Sequence, residues 1–153
     1  MKMATLIIAD DEHIIRKGLS SLDWQSVDVT VVGVASNGAE CWEMVEQLKP
    51  DILLTDIHMQ GYKGTEIARM IKEKGLLTKV IFLTGYKEFE YAREAVELGV
   101  VAFVLKPSDP AEIFEAVNKA KLQIEQQNLI MSEQSSLMRQ VKENQMALFD
   151  KLL

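Results

Sequence analysis

The sequence predicts a doubly wound α/β fold, in which helices cover both faces of a parallel sheet. Short apolar segments rich in valine, isoleucine and leucine recur along the chain, and segments with helical periodicity separate them. These apolar segments lack the alternation of a half-exposed strand, so they suit strands that are buried on both sides. Right-handed crossovers between such strands place helices on both faces of the sheet.

Five strands are predicted in the first two-thirds of the chain, at residues 4–9, 29–35, 52–55, 79–84 and 100–105. The segments between them carry apolar residues three or four positions apart, which form one face of a helix. These residues are Ile15, Leu19 and Leu22, then Cys41, Val45 and Leu48, then Ile67 and Ile71, and finally Ala92 and Val96.

Several helix boundaries are also marked in the sequence. Asn37 and Glu40 have the spacing of a capping box, and Gly99 occupies a typical position for the C-terminal end of a helix. The clearest helix start is Asp109, because proline follows it at the first helical position. No glycine or proline occurs between Pro110 and the end of the chain, which predicts one long final helix.

The C-terminal part of this helix has the pattern of a coiled coil, with seam positions alternately three and four residues apart. These positions are Met131, Gln134, Met138, Val141, Gln145, Leu148 and Leu152. We therefore divide the chain into a domain at residues 1–122 and a helical linker or coiled-coil segment at residues 123–153. The helical segment is expected to support a homodimer, and a partly frayed tail is the alternative.

Composition limits the possible environments and partners. The formal net charge is −6, so these residues provide no basic face for nucleic acid. No apolar run reaches the roughly 18 residues that a membrane span requires. A single cysteine cannot form an internal disulfide, which suits a reducing compartment. We expect a cytoplasmic protein without membrane contact.

Polar side chains follow the ends of four predicted strands. Asp10 and Asp11 come after the first strand, Asp56 after the third, Thr84 ends the fourth, and Lys106 follows the fifth. Because the carboxyl ends of parallel strands meet at one edge of the sheet, these side chains are expected to converge. Each residue alone has an ordinary explanation, such as a turn former or a solvated charge, and their joint occurrence favours a site.

Three carboxylates in one cleft repel one another unless protons or a cation neutralise them. Mg²⁺ fits this requirement because it binds carboxylate and phosphate oxygens. Asp56 lies on a different strand from the other two aspartates, so it is the candidate nucleophile for forming an aspartyl phosphate. Lys106 would offset phosphoryl charge, and Thr84 would donate a hydrogen bond.

At these residues the chain resembles the receiver domain of two-component response regulators, over roughly residues 3–122. The motifs that carry the resemblance are Ala9-Asp10-Asp11-Glu12, Leu54-Thr55-Asp56-Ile57-His58-Met59, Leu83-Thr84-Gly85-Tyr86 and Leu105-Lys106-Pro107. The resemblance implies a flavodoxin-like fold with strand order 2-1-3-4-5 and an extended C-terminal helix. It also implies that a sensor histidine kinase phosphorylates Asp56.

The resemblance further implies a role for the other site residues. Asp10, Asp11, Asp56 and the backbone carbonyl of His58 would hold Mg²⁺. Thr84, Phe103 and Lys106 would form the phosphate-binding and switch positions, with a cis peptide between Lys106 and Pro107. Gln60 departs from the family pattern, which usually has proline there, and Phe103 replaces the usual tyrosine.

The segment from Gly85 to Ala92 resembles one subgroup, the regulators that carry an AraC-type helix-turn-helix domain. The chain would then be a fragment of a transcription regulator that contacts DNA only through a domain absent from these residues. Homodimerisation is expected through the C-terminal helix or the face beyond residue 86.

Three other classes of function are alternatives to the receiver domain, which we expect not to be an enzyme. A phosphatase of the haloacid-dehalogenase type would need an aspartate at position 58, where this chain has histidine. A nucleotide- or flavin-binding domain would need a phosphate-binding loop after the first strand, where this chain has acidic residues. A scaffold that is never phosphorylated stays open.

Overall fold

In a computed structural model, the chain forms a five-stranded parallel sheet with the order β2-β1-β3-β4-β5. The structure describes residues 3–85, 90–106 and 108–152. The strands are β1 (Ala4–Ala9), β2 (Val29–Ala35), β3 (Ile52–Asp56), β4 (Lys79–Thr84) and β5 (Ala102–Leu105). The helices are α1 (His13–Ser20), α2 (Gly38–Leu48), α3 (Gly64–Glu73), α4 (Glu90–Glu97) and α5 (Pro110–Leu152), with a 3-10 helix at Trp24–Val27. The predicted fold class, strand order and long final helix are confirmed.

The central strands form the core because both of their faces are buried. In β1, Ile7 packs in a cluster with Cys41 of α2 and Ile67 of α3, and all three are fully buried. The neighbouring residues Leu6 and Ile8 are also fully buried, and strand geometry directs them to the opposite face. This two-sided burial explains why the strand segments are continuously apolar in the sequence.

The predicted helix boundaries coincide with observed caps. The Asn37 side chain accepts a hydrogen bond from the Glu40 amide at 2.8 Å, and the Asp109 side chain accepts one from the Ala111 amide at 2.9 Å. After α4, Gly99 adopts a φ of +71° while its amide donates to the Val96 carbonyl. These contacts satisfy backbone groups that would otherwise be left unpaired at the helix ends.

Three details differ from the sequence-based expectations. Helix α1 ends before Leu22, which lies in the turn leading to the 3-10 helix. In α4, Val96 is 80% exposed and Ala95 is the residue that packs in the core. The spacing of apolar residues had placed Val96 inward, but the small Ala95 side chain faces the core instead. Strand β5 begins at Ala102, two residues later than expected.

Two compact units are found along the chain, Met1–Lys121 and Leu122–Leu153. In the first unit, the start of α5 buries Ile113, Val117 and Ala120. In the second unit, α5 continues to Leu152, and every residue from Asn128 to Leu148 is exposed. No helix in the described part of the chain combines the length and apolar character needed to cross a membrane.

Candidate functional site

Strand order and register bring the predicted site residues to one edge of the sheet. Strand β1 lies between β2 and β3, and Ala9 is paired with Thr55. Asp10 and Asp56 therefore follow at the same level on adjacent strands. In the same way, Thr84 is paired with Leu105, so Lys106 leaves β5 just beyond it. The edge between β1 and β3 is also where the strand order reverses, the usual ligand-binding position of such sheets.

Three carboxylates meet at this edge. Asp10, Asp11 and Asp56 each offer an oxygen, and these oxygens all lie within 4.8 Å of one another. Asp10 is fully buried and Asp56 is 6% exposed, while Asp11 is exposed to solvent. Two buried carboxylates and one accessible carboxylate form a donor set of hard oxygens, and this set fits a divalent cation that enters from solvent.

Lys106 is the positive charge that faces the two buried carboxylates. Its Nζ lies 2.7 Å from Oδ2 of Asp10 and 3.2 Å from Oδ2 of Asp56. Burial lowers the pKa of Lys106, but the hydrogen bond to Asp10 and the charge of Asp56 outweigh burial, so the net pKa is raised. The lysine is therefore held as a cation. Its backbone amide donates to the Thr84 carbonyl at 2.8 Å, which fixes the position of the residue beside β4.

Opposing influences act on the ionisation of Asp56. The pKa of Asp56 is raised to about 6, with burial as the largest cause; Lys106 acts to lower the pKa, and the Asp10 carboxylate acts to raise it. A backbone hydrogen bond from the Ile57 amide to Oδ1, at 2.8 Å, also favours the charged form. At neutral pH most Asp56 side chains are thus ionised, which is the form that can act as a nucleophile.

Asp10 is fixed by two contacts in addition to its ion pair with Lys106. Its Oδ1 accepts a hydrogen bond from the Glu12 amide at 2.9 Å. Its backbone carbonyl accepts one from Nη1 of Arg16 at 2.8 Å. Arg16 was not predicted as a site residue, because a position on the first turn of a helix after the acidic motif is only a weak signal.

The two expected switch residues are in different surroundings. Thr84 is buried at the end of β4, and its hydroxyl donates to the Gly85 carbonyl at 3.2 Å. Phe103 is half-buried in β5 and packs edge-to-face on Phe82, with ring centroids 5.7 Å apart. Thr84 therefore lies at the same edge as the charged cluster, whereas the ring contact described for Phe103 is with the core.

Three other expectations are not tested by these contacts. His58 is exposed two residues after β3, and the role of its carbonyl as a metal ligand stays a prediction. The cis peptide between Lys106 and Pro107 involves a residue outside the described ranges. The face beyond residue 86 begins with residues 86–89, which also lie outside them.

The loop between β3 and α3 is held against the start of α2. The Gln60 carbonyl accepts a hydrogen bond from the Gly38 amide at 2.8 Å. A Cβ atom at Gly38 would lie only 1.9 Å from the Tyr62 carbonyl oxygen. Gly61 has a φ of +85° and would place a Cβ 2.9 Å from the Ala39 nitrogen. This contact, which holds the loop against α2, was not predicted from the sequence.

The chain is similar to known response regulators in sequence and structure. The family model for the response regulator receiver domain matches residues 6–118. The nitrate/nitrite response regulator protein NarL of Escherichia coli (strain K12) is 32% identical over 117 residues, which are 76% of this chain and 54% of that protein. The REC domain of AraT, a response regulator from Geobacillus stearothermophilus, has a TM-score of 0.76 and 37% identity. That match covers 82% of this chain and 98% of the AraT domain.

A third similar structure bears on the subgroup. A DNA-binding response regulator of the LuxR family from Staphylococcus aureus has a TM-score of 0.72 and 32% identity, covering 76% of this chain and 98% of that chain. The comparisons therefore point to LuxR-type neighbours and do not support the AraC-type subgroup. The chain spans about half the length of the curated relatives it matches first.

Proposed function

Because this chain belongs to the response regulator receiver domain family, we propose that Asp56 accepts a phosphoryl group from a sensor histidine kinase. The observation that carries this assignment is the ion-paired cluster in which Lys106 bridges the carboxylates of Asp10 and Asp56. The other acidic residues of the cluster lie on the β1 side, so Asp56 is the one delivered by β3. Its product would be an acyl phosphate on the Asp56 side chain.

The transfer uses the ionised carboxylate of Asp56. One of its oxygens attacks phosphorus, and the bond from phosphorus to the kinase histidine breaks as the new oxygen–phosphorus bond forms. The Ile57 amide holds Oδ1, so Oδ2 is the oxygen that faces Lys106. The ammonium group then offsets negative charge on the phosphoryl oxygens, and positioning and electrostatics contribute most of the catalysis.

The acidic cluster also fits Mg²⁺. Its ligands would be the carboxylates of Asp10, Asp11 and Asp56 together with the backbone carbonyl of His58. The supporting observation is that one oxygen from each of the three carboxylates lies within 4.8 Å of the others. Lys106 forms an ion pair with Asp10 in this cluster. When bound, Mg²⁺ would neutralise charge on the transferred phosphoryl group.

The output of phosphorylation is a change in binding and not a released product, so the domain acts as a switch and not as an enzyme. We assign Thr84 to hydrogen bonding with the phosphoryl group, because its hydroxyl lies at the same sheet edge and now donates to a neighbouring carbonyl. Phe103 would follow by changing its packing on Phe82. The surface altered in this way would bind a partner or a second copy.

The proposal also covers the domain organisation, dimerisation and output of the protein. Residues 1–122 form the receiver domain of a cytoplasmic regulator, and residues 123–153 form its helical linker or coiled-coil segment. Transcription would be controlled through a DNA-binding domain outside this chain, and a homodimer would form through the C-terminal helix or the face beyond residue 86. An AraC-type identity for such a domain rests on the likeness of residues 85–92 and of the terminal segment, and sequencing the gene around this segment would distinguish it from a LuxR-type domain.

The phosphoacceptor is tested by intact mass spectrometry after incubation with acetyl phosphate. We expect wild type to gain a single base-labile phosphoryl group with Mg²⁺ and none with a chelator. Asp56→Asn should gain none, because the amide is not a nucleophile. Asp28→Asn is the matched control, since Asp28 is exposed and lies outside the acidic cluster, and it should be modified as wild type is.

Two outcomes contradict the assignment. A stoichiometric adduct on Asp56→Asn would place the phosphoacceptor elsewhere. No adduct on wild type under any condition would favour a scaffold that keeps the site without being phosphorylated.

A further inference from the structure

The second unit presents an apolar stripe along one side of α5. We call the seam the positions Met131, Gln134, Met138, Val141, Gln145 and Leu148, which are alternately three and four residues apart. All six are exposed in the described chain. We propose that a second copy of this chain covers the seam, forming a parallel and in-register two-stranded coiled coil. This inference deepens the proposed homodimer and does not depend on phosphorylation.

An unpaired helix of this kind leaves large apolar side chains in water. Met138 and Leu148 are each 63% exposed, and Val141 between them is 47% exposed. A single helix cannot bury its own apolar stripe, and helices in proteins gain most of their stability from packing such a face. A second helix that inserts its side chains between those of the seam supplies this burial.

The glutamines identify the partner as an identical chain in the same register. In a parallel, in-register pair, Gln134 faces the partner's Gln134 and Gln145 faces the partner's Gln145, so each amide has a donor and an acceptor opposite. A slip of one heptad would place Gln134 opposite the partner's Val141. That slip would bury an amide without a hydrogen bond, which is unfavourable.

The orientation follows from a third glutamine in the same repeat, Gln127. The antiparallel alignment that pairs Gln134 with Gln145 places position 127 opposite position 152, which is a leucine. The parallel alignment instead places Gln127 opposite its own copy. Over the six seam positions both alignments pair polar with polar and apolar with apolar, and the layer at position 127 favours the parallel one, which alone avoids placing a glutamine opposite a leucine.

The positions beside the seam also suit self-association. Asn128 and Ser135 lie on one side of it, and Ile130 and Leu137 on the other. The positions directly beside the seam recur every seven residues on each side of it. Between residues 123 and 149, Lys142 is the single charged residue among them. Identical chains therefore meet little like-charge repulsion, and Ile130 and Leu137 widen the apolar contact. A partner of another sequence would have to reproduce the spacing of the polar layers.

The test of the seam is sedimentation equilibrium on the unphosphorylated 153-residue chain. We expect wild type to be dimeric and Met138→Glu to weaken the dimer at least about tenfold. Met146→Glu is the matched control, because Met146 is 69% exposed but lies off the seam, and it should leave the dissociation constant unchanged. Circular dichroism of each variant separates loss of pairing from loss of fold.

A monomeric wild type would overturn the proposal, and so would equal weakening by both substitutions. Either result would leave the Asp56 assignment intact, because that assignment is measured by mass. Conversely, a wild type that gains no phosphoryl group but forms a dimer that Met138→Glu selectively weakens would overturn the phosphoacceptor and leave the seam supported.

Orientation and register are tested by disulfide formation. Val141→Cys should link to the same position of the second copy under mild oxidation, because parallel pairing brings these two positions together. Lys142→Cys, one position off the seam, should link at least about tenfold more slowly. Wild type is the background, since its one cysteine is buried. A disulfide between mixed Met138→Cys and Val141→Cys chains, without one in Val141→Cys alone, would overturn the parallel arrangement.

Discussion

Asp56 is buried in a position that is unfavourable for a charged carboxylate. Burial and the nearby Asp10 carboxylate raise its pKa, while Lys106 and the Ile57 amide act in the opposite direction. With a pKa of about 6, the Asp56 carboxylate is ionised at neutral pH. Because the charged form is buried, its ionisation lowers the free energy of unfolding of the protein. The reactivity proposed for this residue therefore depends on an arrangement that lowers the stability of the folded protein.

This conflict predicts that Asp56→Asn stabilises the protein at high pH. The folded-state pKa is raised from 3.8 to about 6, so the folded state binds the proton more tightly than the unfolded chain does. Wild type should therefore lose stability as the pH rises through this range, by roughly 2–3 kcal/mol in total, whereas the asparagine variant lacks this titration. Urea unfolding with a chelator at pH 5 and pH 8 measures the part of this loss that falls between the two values, roughly 1–1.5 kcal/mol.

The stability gain of Asp56→Asn over wild type should grow between the two pH values. Asp28→Asn, which removes an exposed carboxylate outside the acidic cluster, is the control. A gain that is equal at both pH values, or larger at the lower one, would contradict the role of burial at Asp56.

At the scale of elements, the loop between β3 and α3 and the start of α2 form one packed contact. The Gly38 amide bonds to the Gln60 carbonyl, and the absence of a side chain at Gly38 lets the Tyr62 backbone approach. The Gly64 amide closes the other end of the loop on the Ile57 carbonyl at 2.8 Å. The loop that follows β3 is thus held in place by its contact with the start of α2.

We expect Gly38→Ala to destabilise the domain and to slow phosphorylation by acetyl phosphate. The added Cβ would overlap the Tyr62 carbonyl, so the loop or helix must move, at a cost of roughly 1–3 kcal/mol. Movement of the loop would also displace the His58 carbonyl. Thermal unfolding and the rate of adduct formation are the measurements, with the rate taken well below the melting temperature.

Gly18→Ala is the matched control because a Cβ at Gly18, inside α1, meets no atom within 4 Å. It should stabilise the protein by roughly 0.5–1 kcal/mol through helix propensity and leave the phosphorylation rate unchanged. If Gly38→Ala keeps the wild-type rate despite lower stability, the loop contact supports the fold but does not position the site.

At the scale of the whole molecule, the core of the first unit is complete before α5 enters the second. The buried residues of α5 end at Ala120, and Lys121 donates to the Val27 carbonyl at 2.6 Å. Beside these contacts, Trp24 of the 3-10 helix packs edge-to-face on Phe114 of α5, with ring centroids 5.3 Å apart. The start of α5 is therefore part of the receiver fold.

This division predicts that a chain ending at residue 124 folds and is phosphorylated like the full chain. It retains every described core residue and the whole charged cluster. We expect a melting temperature within about 4 °C of the full chain, which corresponds to about 1 kcal/mol for a domain of this size. Scanning calorimetry and the acetyl phosphate assay measure the two properties. A large loss of either would show that residues beyond 124 belong to the receiver fold.

Much of the fold could be predicted because its signals are local. Continuous apolar segments marked the strands, and the caps at Asn37, Gly99 and Asp109 marked helix boundaries that the structure confirms. Val96 was placed on the wrong side of α4 because the spacing of apolar residues does not decide which residue the core accepts. Arg16 and Gly38 were missed because their partners belong to other elements.

The sequence by itself determined the identity of the charged residues and their positions at strand ends, because strand boundaries depend on short stretches of chain. Only the tertiary structure decided which of them touch. The ion pair of Lys106 with Asp10 joins residues 96 positions apart, and it depends on strand order and register. The raised pKa of Asp56 likewise depends on burial by the assembled core. Distances and desolvation are properties of the packed chain, and no local pattern of residues contains them.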